Sequence, residues 1–192
     1  MRKSTLLFIA GILLLLTSCG PSREKSVLKI QDLEKRLFAP EAVSFDKVKA
    51  DSLLTLYLNF VKDHPKDSLA PQYLFKAAGI SMNSGDGTKA LNLYDQFLKD
   101  YPDHPHAAMS LFFKGFVYEN ILRNLESAKE AYLQFIEKYP NDEFNDDARL
   151  ALQNLGKTPD QMIREFEARK QADSTRIADS LKMAKKTRKK GK

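Results

Sequence analysis

Few residues in this chain of 192 amino acids are of the types that catalyse reactions or bind metals. The single cysteine is Cys19, and the only histidines are His64, His104 and His106. A zinc site needs three or four cysteine, histidine or carboxylate ligands. His104 and His106 could form half of such a site, but no cysteine or third histidine in the sequence completes it. We therefore expect no metal and no cofactor.

Two polar stretches contain residues that loops use to bind phosphate or calcium. Residues 85–87, Gly-Asp-Gly, lack the longer glycine spacing, the lysine and the preceding strand of a phosphate loop. Residues 145–147, Asn-Asp-Asp, lack the central glycine and closing glutamate of a calcium loop. A turn and the acidic first turn of a helix explain the two stretches better. The sequence thus predicts no catalytic residue and a protein that is not an enzyme.

The surroundings of Cys19 indicate export from the cytoplasm. Arg2 and Lys3 precede an unbroken apolar run over residues 6–16, and small residues follow before the cysteine. This is the plan of a secretory signal. The run is too short to span a membrane, because a spanning helix needs about 20 apolar residues. With one cysteine, the chain cannot form an internal disulfide, so Cys19 is either modified or a free thiol.

The stretch Leu16-Thr17-Ser18-Cys19 resembles a lipobox, the motif read by the bacterial lipoprotein signal peptidase. The resemblance implies removal of residues 1–18, acylation of Cys19, and a lipidated tether over residues 19–25. The membrane would then be a partner through the acyl chains. Gly20 stands where the inner-membrane retention signal has an aspartate, so we expect the periplasmic face of the outer membrane. An ordinary secretory signal is the alternative.

The formal net charge of +6 comes mainly from the C-terminus, where residues 182–192 hold seven basic residues and no acidic one. The body of the chain is mildly acidic, which does not favour a nucleic-acid partner. Two interpretations of the tail remain open. It contacts anionic lipid headgroups, peptidoglycan carboxylates or an acidic protein, or it is a solvated tail.

Three similar segments begin at Tyr57, Tyr94 and Tyr132, which are 37 and 38 residues apart. In each segment a second aromatic residue and then a proline follow: Phe60 and Pro65, Phe97 and Pro102, Phe135 and Pro140. A period of this length predicts a repeat array. His64 takes the place of a tyrosine found in the other two copies, so we interpret it as a helix-end residue and not as a ligand.

Each segment ends a helix, and another helix precedes it. Apolar residues three and four positions apart predict one stripe along each helix, and proline then stops it. Predicted caps are Asp86 or Thr88, Asn124, a His104-Pro105 start, and a capping box of Thr158 and Gln161. The expected helices cover residues 27–38, 45–63, 69–82, 107–122 and 144–155, with second helices after residues 86 and 124 and a last helix from residue 158.

This pattern resembles the tetratricopeptide repeat. The matching small, aromatic and terminal proline positions are Ala77, Ala90, Pro102, Gly115, Tyr118, Ala128 and Pro140, with Tyr94 and Tyr132 filling the space between helices. Lys76 and Lys114 stand where the family usually has an aliphatic residue. The resemblance implies an all-α fold, a short right-handed solenoid of antiparallel helix pairs with a long C-terminal helix. The repeat domain is expected over residues 26–166, and a polar helix with a basic tail over 167–192.

The run YPNDEFNDDARLAL from Tyr139 resembles the segment between repeats in tetratricopeptide lipoproteins of the bacterial envelope, both the BamD-like assembly family and the periplasmic coordinator of Tol-Pal. The resemblance implies a non-enzymatic scaffold that binds envelope proteins, with assembly of outer-membrane β-barrel proteins as its process. Coordination of cell-wall synthesis or of Tol-Pal function is an alternative. A periplasmic carrier of a small ligand is an alternative of a different class.

In the repeat register, five side chains of one first-type helix are expected on the concave side as a partner-binding groove: Met109, Phe112, Phe116, Glu119 and Asn120. Near the C-terminus, apolar side chains are predicted to dock the last helix on the preceding one: Met162, Ile163 and Phe166. Beyond residue 172 apolar residues become sparse, so the helix is expected to stand in solvent. Residues 185–192 are expected to be disordered.

Overall fold

A computed structural model describes residues 22–38 and 46–190, without the side chains of 184–190. The predicted signal peptide and Cys19 lie outside the described residues. The regular structure in the described part is entirely α-helical, which confirms the predicted fold class. The helices are α1 Arg23–Leu37, α2 Lys47–Asp63, α3 Ala70–Asn83, α4 Gly87–Asp100, α5 His106–Asn120, α6 Leu125–Lys138, α7 Asn145–Asn154 and α8 Pro159–Lys190.

Each helix from α1 to α6 packs against the next one along the chain. Short turns join α3 to α4 and α5 to α6, and longer proline-containing loops join one pair to the next. We call α1, α3, α5 and α7 the first helices, and α2, α4 and α6 the second helices. Since α3 also contacts α5, the first helices of these successive pairs lie side by side and form a continuous face.

Side-chain caps define where α1, α2, α4 and α6 begin. An oxygen at each N-cap accepts the backbone N–H three residues later, which satisfies a donor that the helix leaves unpaired. The cap of α4 is Asp86, and the predicted alternative Thr88 lies inside the helix. The predicted cap Asn124 is confirmed for α6. The N-caps are Ser22, Asp46, Asp86 and Asn124, and their donors are Lys25, Lys49, Lys89 and Ser127.

The three second helices end alike. Their C-cap residues are His64, Tyr101 and Tyr139, so the interpretation of His64 as a helix-end residue is confirmed. In the loops that follow, equivalent side chains accept a backbone N–H two residues later. The acceptors are Asp67, His104 and Asp142, the donors are Leu69, His106 and Phe144, and the distances are 2.9, 3.1 and 3.0 Å.

The predicted start of α5 needs a correction. Pro105 occupies the N-cap and makes no side-chain capping bond, and the first helical residue is His106. Proline therefore precedes the helix by one position instead of beginning it. The capping function falls to His104, whose Nδ1 atom accepts the N–H of His106. His104 thus takes the place of Asp67 and Asp142, which accept the equivalent backbone N–H in the other two loops.

The aromatic pairs of the repeat form the core. Six rings, two from each second helix, are at most 1% exposed: Tyr57, Phe60, Tyr94, Phe97, Tyr132 and Phe135. Burying each such side chain contributes on the order of 1.5–3 kcal/mol. Where a first helix approaches the ring of its second helix closely, only a small residue fits on the first helix. A Cβ atom added at Gly115 would lie only 2.5 Å from Cε1 of Tyr132.

The predicted tether is shorter than expected. Residues 23–25, assigned to it from the sequence, belong to α1. Ser22 caps this helix, and the guanidinium of Arg23 makes two hydrogen bonds to the carboxylate of Asp67, at 2.5 and 3.2 Å. The cap and the ion pair together hold the first turn of α1 against the loop between α2 and α3.

The C-terminal helix begins as predicted but does not dock as predicted. Thr158 and Gln161 form a reciprocal capping box, with bonds of 2.8 and 3.3 Å. Met162 is half-buried. The docking prediction is wrong for Ile163 and Phe166, which are 56% and 64% exposed. Charged residues interrupt the apolar stripe of α8, so it offers no continuous surface to α7.

The end of the chain also differs from expectation. Helix α8 continues to Lys190, through residues 185–190 that were predicted to be disordered. No proline or glycine interrupts residues 160–190, and lysine, arginine and alanine favour helix. None of the helices in the described part of the chain is both long and apolar enough to cross a membrane.

Candidate functional site

The five residues predicted to line a groove all lie on α5, one of the first helices. Phe116 is 40% exposed and Asn120 is exposed. The side-chain amide of Asn120 donates to the backbone carbonyl of Phe116, 3.2 Å away. Met109 is half-buried. The most accessible part of the predicted groove is therefore one aromatic side chain beside one amide.

The other two predicted groove residues hold the repeat together. The ring of Phe112 is half-buried and lies 5.5–5.7 Å from the rings of Tyr132, Phe135 and Phe144. Glu119 accepts a hydrogen bond of 2.9 Å from the hydroxyl of Tyr132. The contacts of Phe112 and Glu119 therefore hold α5 against the neighbouring part of the repeat array. These two side chains stabilise the helix that carries the exposed residues.

A polar cluster that the sequence analysis missed joins the first two helix pairs. The Tyr57 hydroxyl donates to Oε1 of Glu34 at 2.5 Å, and the Lys76 ammonium donates to the same oxygen at 2.7 Å. Burial first, and then the bond to this carboxylate, raise the pKa of the Tyr57 phenol far above its ordinary value. The cluster binds α1, α2 and α3 through one carboxylate, and bonds to a charged group are about twice as strong as neutral ones.

The equivalent lysine one repeat later also forms an ion pair, but its partner lies on the second helix α4 and not on a first helix. The ammonium of Lys114 lies 2.5 Å from Oδ1 of Asp95, and the lysine side chain is only 17% exposed. Lys76 and Lys114 both replace the aliphatic residue that is usual at this position of the tetratricopeptide repeat. A half-buried lysine needs a carboxylate partner. A lysine at a normally aliphatic position therefore indicated an ion pair, but the sequence did not indicate which acidic residue is the partner.

The two neighbouring histidines have different surroundings: His106 packs on a ring of the core, and His104 lies in the loop before α5. The ring of His106 stacks on Phe75 at 4.4 Å, and the rings of His104 and His106 are 5.2 Å apart. Burial, and secondly the neighbouring His106, lower the pKa of His104. In the described part of the chain no three His, Cys, Asp or Glu side chains are grouped as a metal site would require.

The lowered pKa gives His104 a pH-dependent effect on stability. Its Nδ1 atom accepts a backbone N–H, so this nitrogen must be unprotonated. The unfolded chain binds the proton more readily than the folded chain. The stability that His104 contributes is therefore complete above the ordinary histidine pKa of about 6.5, and it is lost as the pH falls through the lower folded-state value.

Of the two polar stretches compared with phosphate and calcium loops, residues 85–87 lie at the turn before and the start of α4, and residues 145–147 begin α7. Gly85, with φ of +80°, turns the chain between α3 and α4. Asn145 donates its amide to the backbone carbonyl of Tyr139 at 3.1 Å and accepts from Arg149 at 2.8 Å. The adjacent Asp146 and Asp147 lie in the first turn of α7, as predicted, where negative charge is favourable.

The arrangement is that of a helical repeat array with a mixed apolar and polar face. Residues 72–104 and 110–142 match the family model of the tetratricopeptide repeat, together about a third of the chain. Each match covers most of a first helix, its second helix and part of the proline-containing loop that follows. The α3–α4 and α5–α6 pairs are therefore similar to tetratricopeptide repeat units, a similarity that suggests a scaffold for protein–protein interaction.

Among solved structures, the chain is similar to a tetratricopeptide repeat protein from Parabacteroides merdae ATCC 43184. The two share 19% sequence identity with a TM-score of 0.45. The match covers 70% of this chain and 60% of that one, so the chain spans less than two thirds of that protein. Comparison with curated proteins finds no match.

Proposed function

We propose that the protein is a non-enzymatic scaffold, anchored by lipid in the bacterial envelope, which binds other envelope proteins on the face of its first helices. The observation that supports this most is the repeat array itself. It presents α3 and α5 side by side, with Phe116 and Asn120 exposed on α5. Repeat arrays bind partners on such extended surfaces.

The packed side chains beneath the exposed residues of α5 favour recognition of a protein segment. Phe116 offers apolar area and Asn120 an amide, while the contacts of Phe112 and Glu119 restrain the helix beneath them. A pre-ordered surface loses less conformational entropy when it binds. An aromatic side chain beside a hydrogen-bonding group is typical of interface centres.

The proposed anchor would hold the array close to the membrane. Cys19 is only four residues before Arg23, the first residue of α1. A chain extends at most about 3.6 Å per residue, so an acyl group on Cys19 would keep the start of α1 within roughly 15 Å of its attachment point. The bond between Arg23 and Asp67 would then place the loop after α2 near the same membrane.

For the process, we propose assembly of β-barrel proteins of the outer membrane, with the array on the periplasmic face. The segment from Tyr139 and the lipobox-like residues 16–19 support this through their resemblance to envelope lipoproteins. The partner would be a component of the assembly machinery. Coordination of cell-wall synthesis or Tol-Pal function, and carriage of a small ligand, are the competing outcomes.

Site-specific photocrosslinking in living cells tests the binding face. A photoreactive residue at Phe116, 40% exposed on a first helix, is compared with one at Leu133, 49% exposed on a second helix. We expect a crosslinked protein at Phe116 and none at Leu133. Identification of a barrel-assembly protein by mass spectrometry supports the proposed process. Tol-Pal or cell-wall proteins support the first alternative, and equal crosslinking at both sites contradicts the proposed face.

Labelling with an alkyne fatty acid tests the anchor. The wild-type chain is expected to carry the label and to fractionate with the outer membrane, and Cys19→Ala is expected to lose both properties. An unlabelled wild-type chain in the soluble fraction would refute the lipid anchor. If purified protein of either form carried a stoichiometric small molecule and no protein partner, the carrier alternative would replace the scaffold.

A further inference from the structure

Helix α8 extends far beyond the repeats. It has 32 residues, against 10 to 17 in the other described helices. At 1.5 Å per residue its length is about 48 Å. Its side chains from 163 to 183 are exposed, so the described surface of its second half is accessible to a partner.

The charge of α8 changes along its length. Residues 159–181 mix acidic and basic side chains, and ion pairs such as Arg176–Asp173 at 3.1 Å lie within the helix. From Lys182 onward every charged residue is basic. The last acid is Asp179, which pairs with Lys182 at 3.4 Å. The sequence of the last part of the helix therefore concentrates basic residues and contains no acidic residue after Asp179.

Exposed apolar side chains lie directly before this charge. Ile177 and Leu181 are 59% and 58% exposed. They are four residues apart, so they share one side of the helix. Met183, two residues after Leu181, is 73% exposed. A helix that combines exposed apolar residues with a dense basic run has the composition of segments that lie on membrane surfaces.

We infer that the C-terminal part of α8, residues 177–190, binds the surface of a membrane that contains anionic phospholipid. The basic residues attract the headgroups, while Ile177 and Leu181 enter the boundary with the acyl chains. An acidic protein would match the charge but gives no reason for the exposed aliphatic residues. The inference rests on the proposed function only in bringing the chain to a membrane, where it adds a second attachment to the acyl anchor.

Vesicle flotation measures this binding without the proposed anchor. The chain from residue 19 onward, with Cys19→Ser, retains all the described helices and cannot be acylated at that position. We expect it to float with vesicles of phosphatidylglycerol and phosphatidylcholine, but not with phosphatidylcholine alone. Binding is expected to fall strongly at 0.5 M salt, because salt screens exposed charges.

Three charge reversals test the basic end. Lys182→Glu, Lys185→Glu and Lys186→Glu together should weaken binding more than tenfold, since each basic residue near an anionic surface is worth roughly a fivefold change in affinity. The control has the same net charge and reverses exposed residues on other helices or at the start of α8: Lys29→Glu, Lys129→Glu and Arg164→Glu. The control should retain most of the binding, and an equal loss in both variants would overturn the inference.

The double change Ile177→Ser and Leu181→Ser tests the apolar contribution at constant charge. We expect weaker binding, and undiminished binding would refute insertion of these side chains. Self-association without flotation, or capture by purified peptidoglycan and not by vesicles, would assign α8 to another partner and overturn the inference. Because this assay uses a chain without acyl groups, its failure leaves the lipid anchor and the binding face of α5 to their own experiments.

Discussion

Replacing Gly115 by alanine should destabilise the protein, although alanine is the better helix former. In α5 the new Cβ would lie 2.5 and 2.6 Å from two carbons of the Tyr132 ring. That ring is 1% exposed and its hydroxyl is bonded to Glu119, so it cannot move without disturbing its neighbours. Overpacking of this kind costs about 1–3 kcal/mol.

Gly79 is the matched control. It lies inside α3, another first helix, and a Cβ atom there would meet nothing within 4 Å. Gly79→Ala should stabilise the protein by about 0.5–1 kcal/mol through helix propensity alone. The same propensity gain applies to Gly115→Ala, so it cancels in the comparison. The difference between the two variants, about 1–3 kcal/mol, is the overpacking cost at Tyr132.

Thermal unfolding followed by circular dichroism measures the difference. For a chain of this size each kcal/mol changes the Tm by about 2–4 °C, so Gly115→Ala should melt several degrees below Gly79→Ala. Tyr132→Leu in the Gly115→Ala background should recover part of the loss, because the smaller side chain relieves the contact. Equal Tm values for the two alanine variants would show that the ring moves aside freely, and would refute the packing argument.

Three further predictions concern single hydrogen bonds. Tyr57→Phe should cost about 1.5–3 kcal/mol in urea unfolding because it removes a bond to a carboxylate. Tyr94→Phe should cost less, since that hydroxyl reaches only a sulfur at 3.9 Å; equal costs would contradict this. His104→Asn should reduce the fall in Tm between pH 7.5 and 5.5, and an unchanged pH profile would exclude His104 as its cause. Thr158→Ala should cost about 1 kcal/mol and speed hydrogen exchange at the start of α8, whereas Thr175→Ala should leave that exchange unchanged.

Much of the fold was predictable because its signals are local. The 37- and 38-residue spacing of Tyr57, Tyr94 and Tyr132 indicated the repeats, and the structure buries all three rings. Caps such as Asp86 and Asn124 act within three residues of themselves. Helix periodicity and capping depend on neighbours in the chain. The sequence therefore indicated the all-α fold and the approximate helix bounds.

The candidate site was only partly predictable. The repeat register predicted that α5 contributes to the binding surface, and Phe116 and Asn120 are exposed there. The register could not show that Phe112 is packed among three aromatic rings or that Glu119 accepts from a buried tyrosine. Exposure depends on how closely the next pair of helices approaches, and no spacing within one helix reports that distance.

By itself the sequence determined the repeat period, the core rings, most of the caps and the change from a mixed to a purely basic composition at Lys182. Only the tertiary structure decided that Lys76 pairs with Glu34, 42 residues away, and that α8 leaves Phe166 exposed instead of docking on α7. The physical reason is the same for both. Ion pairs between repeats and the docking of a terminal helix depend on the relative placement of whole helices, and that placement results from the balance of many weak contacts summed over the array.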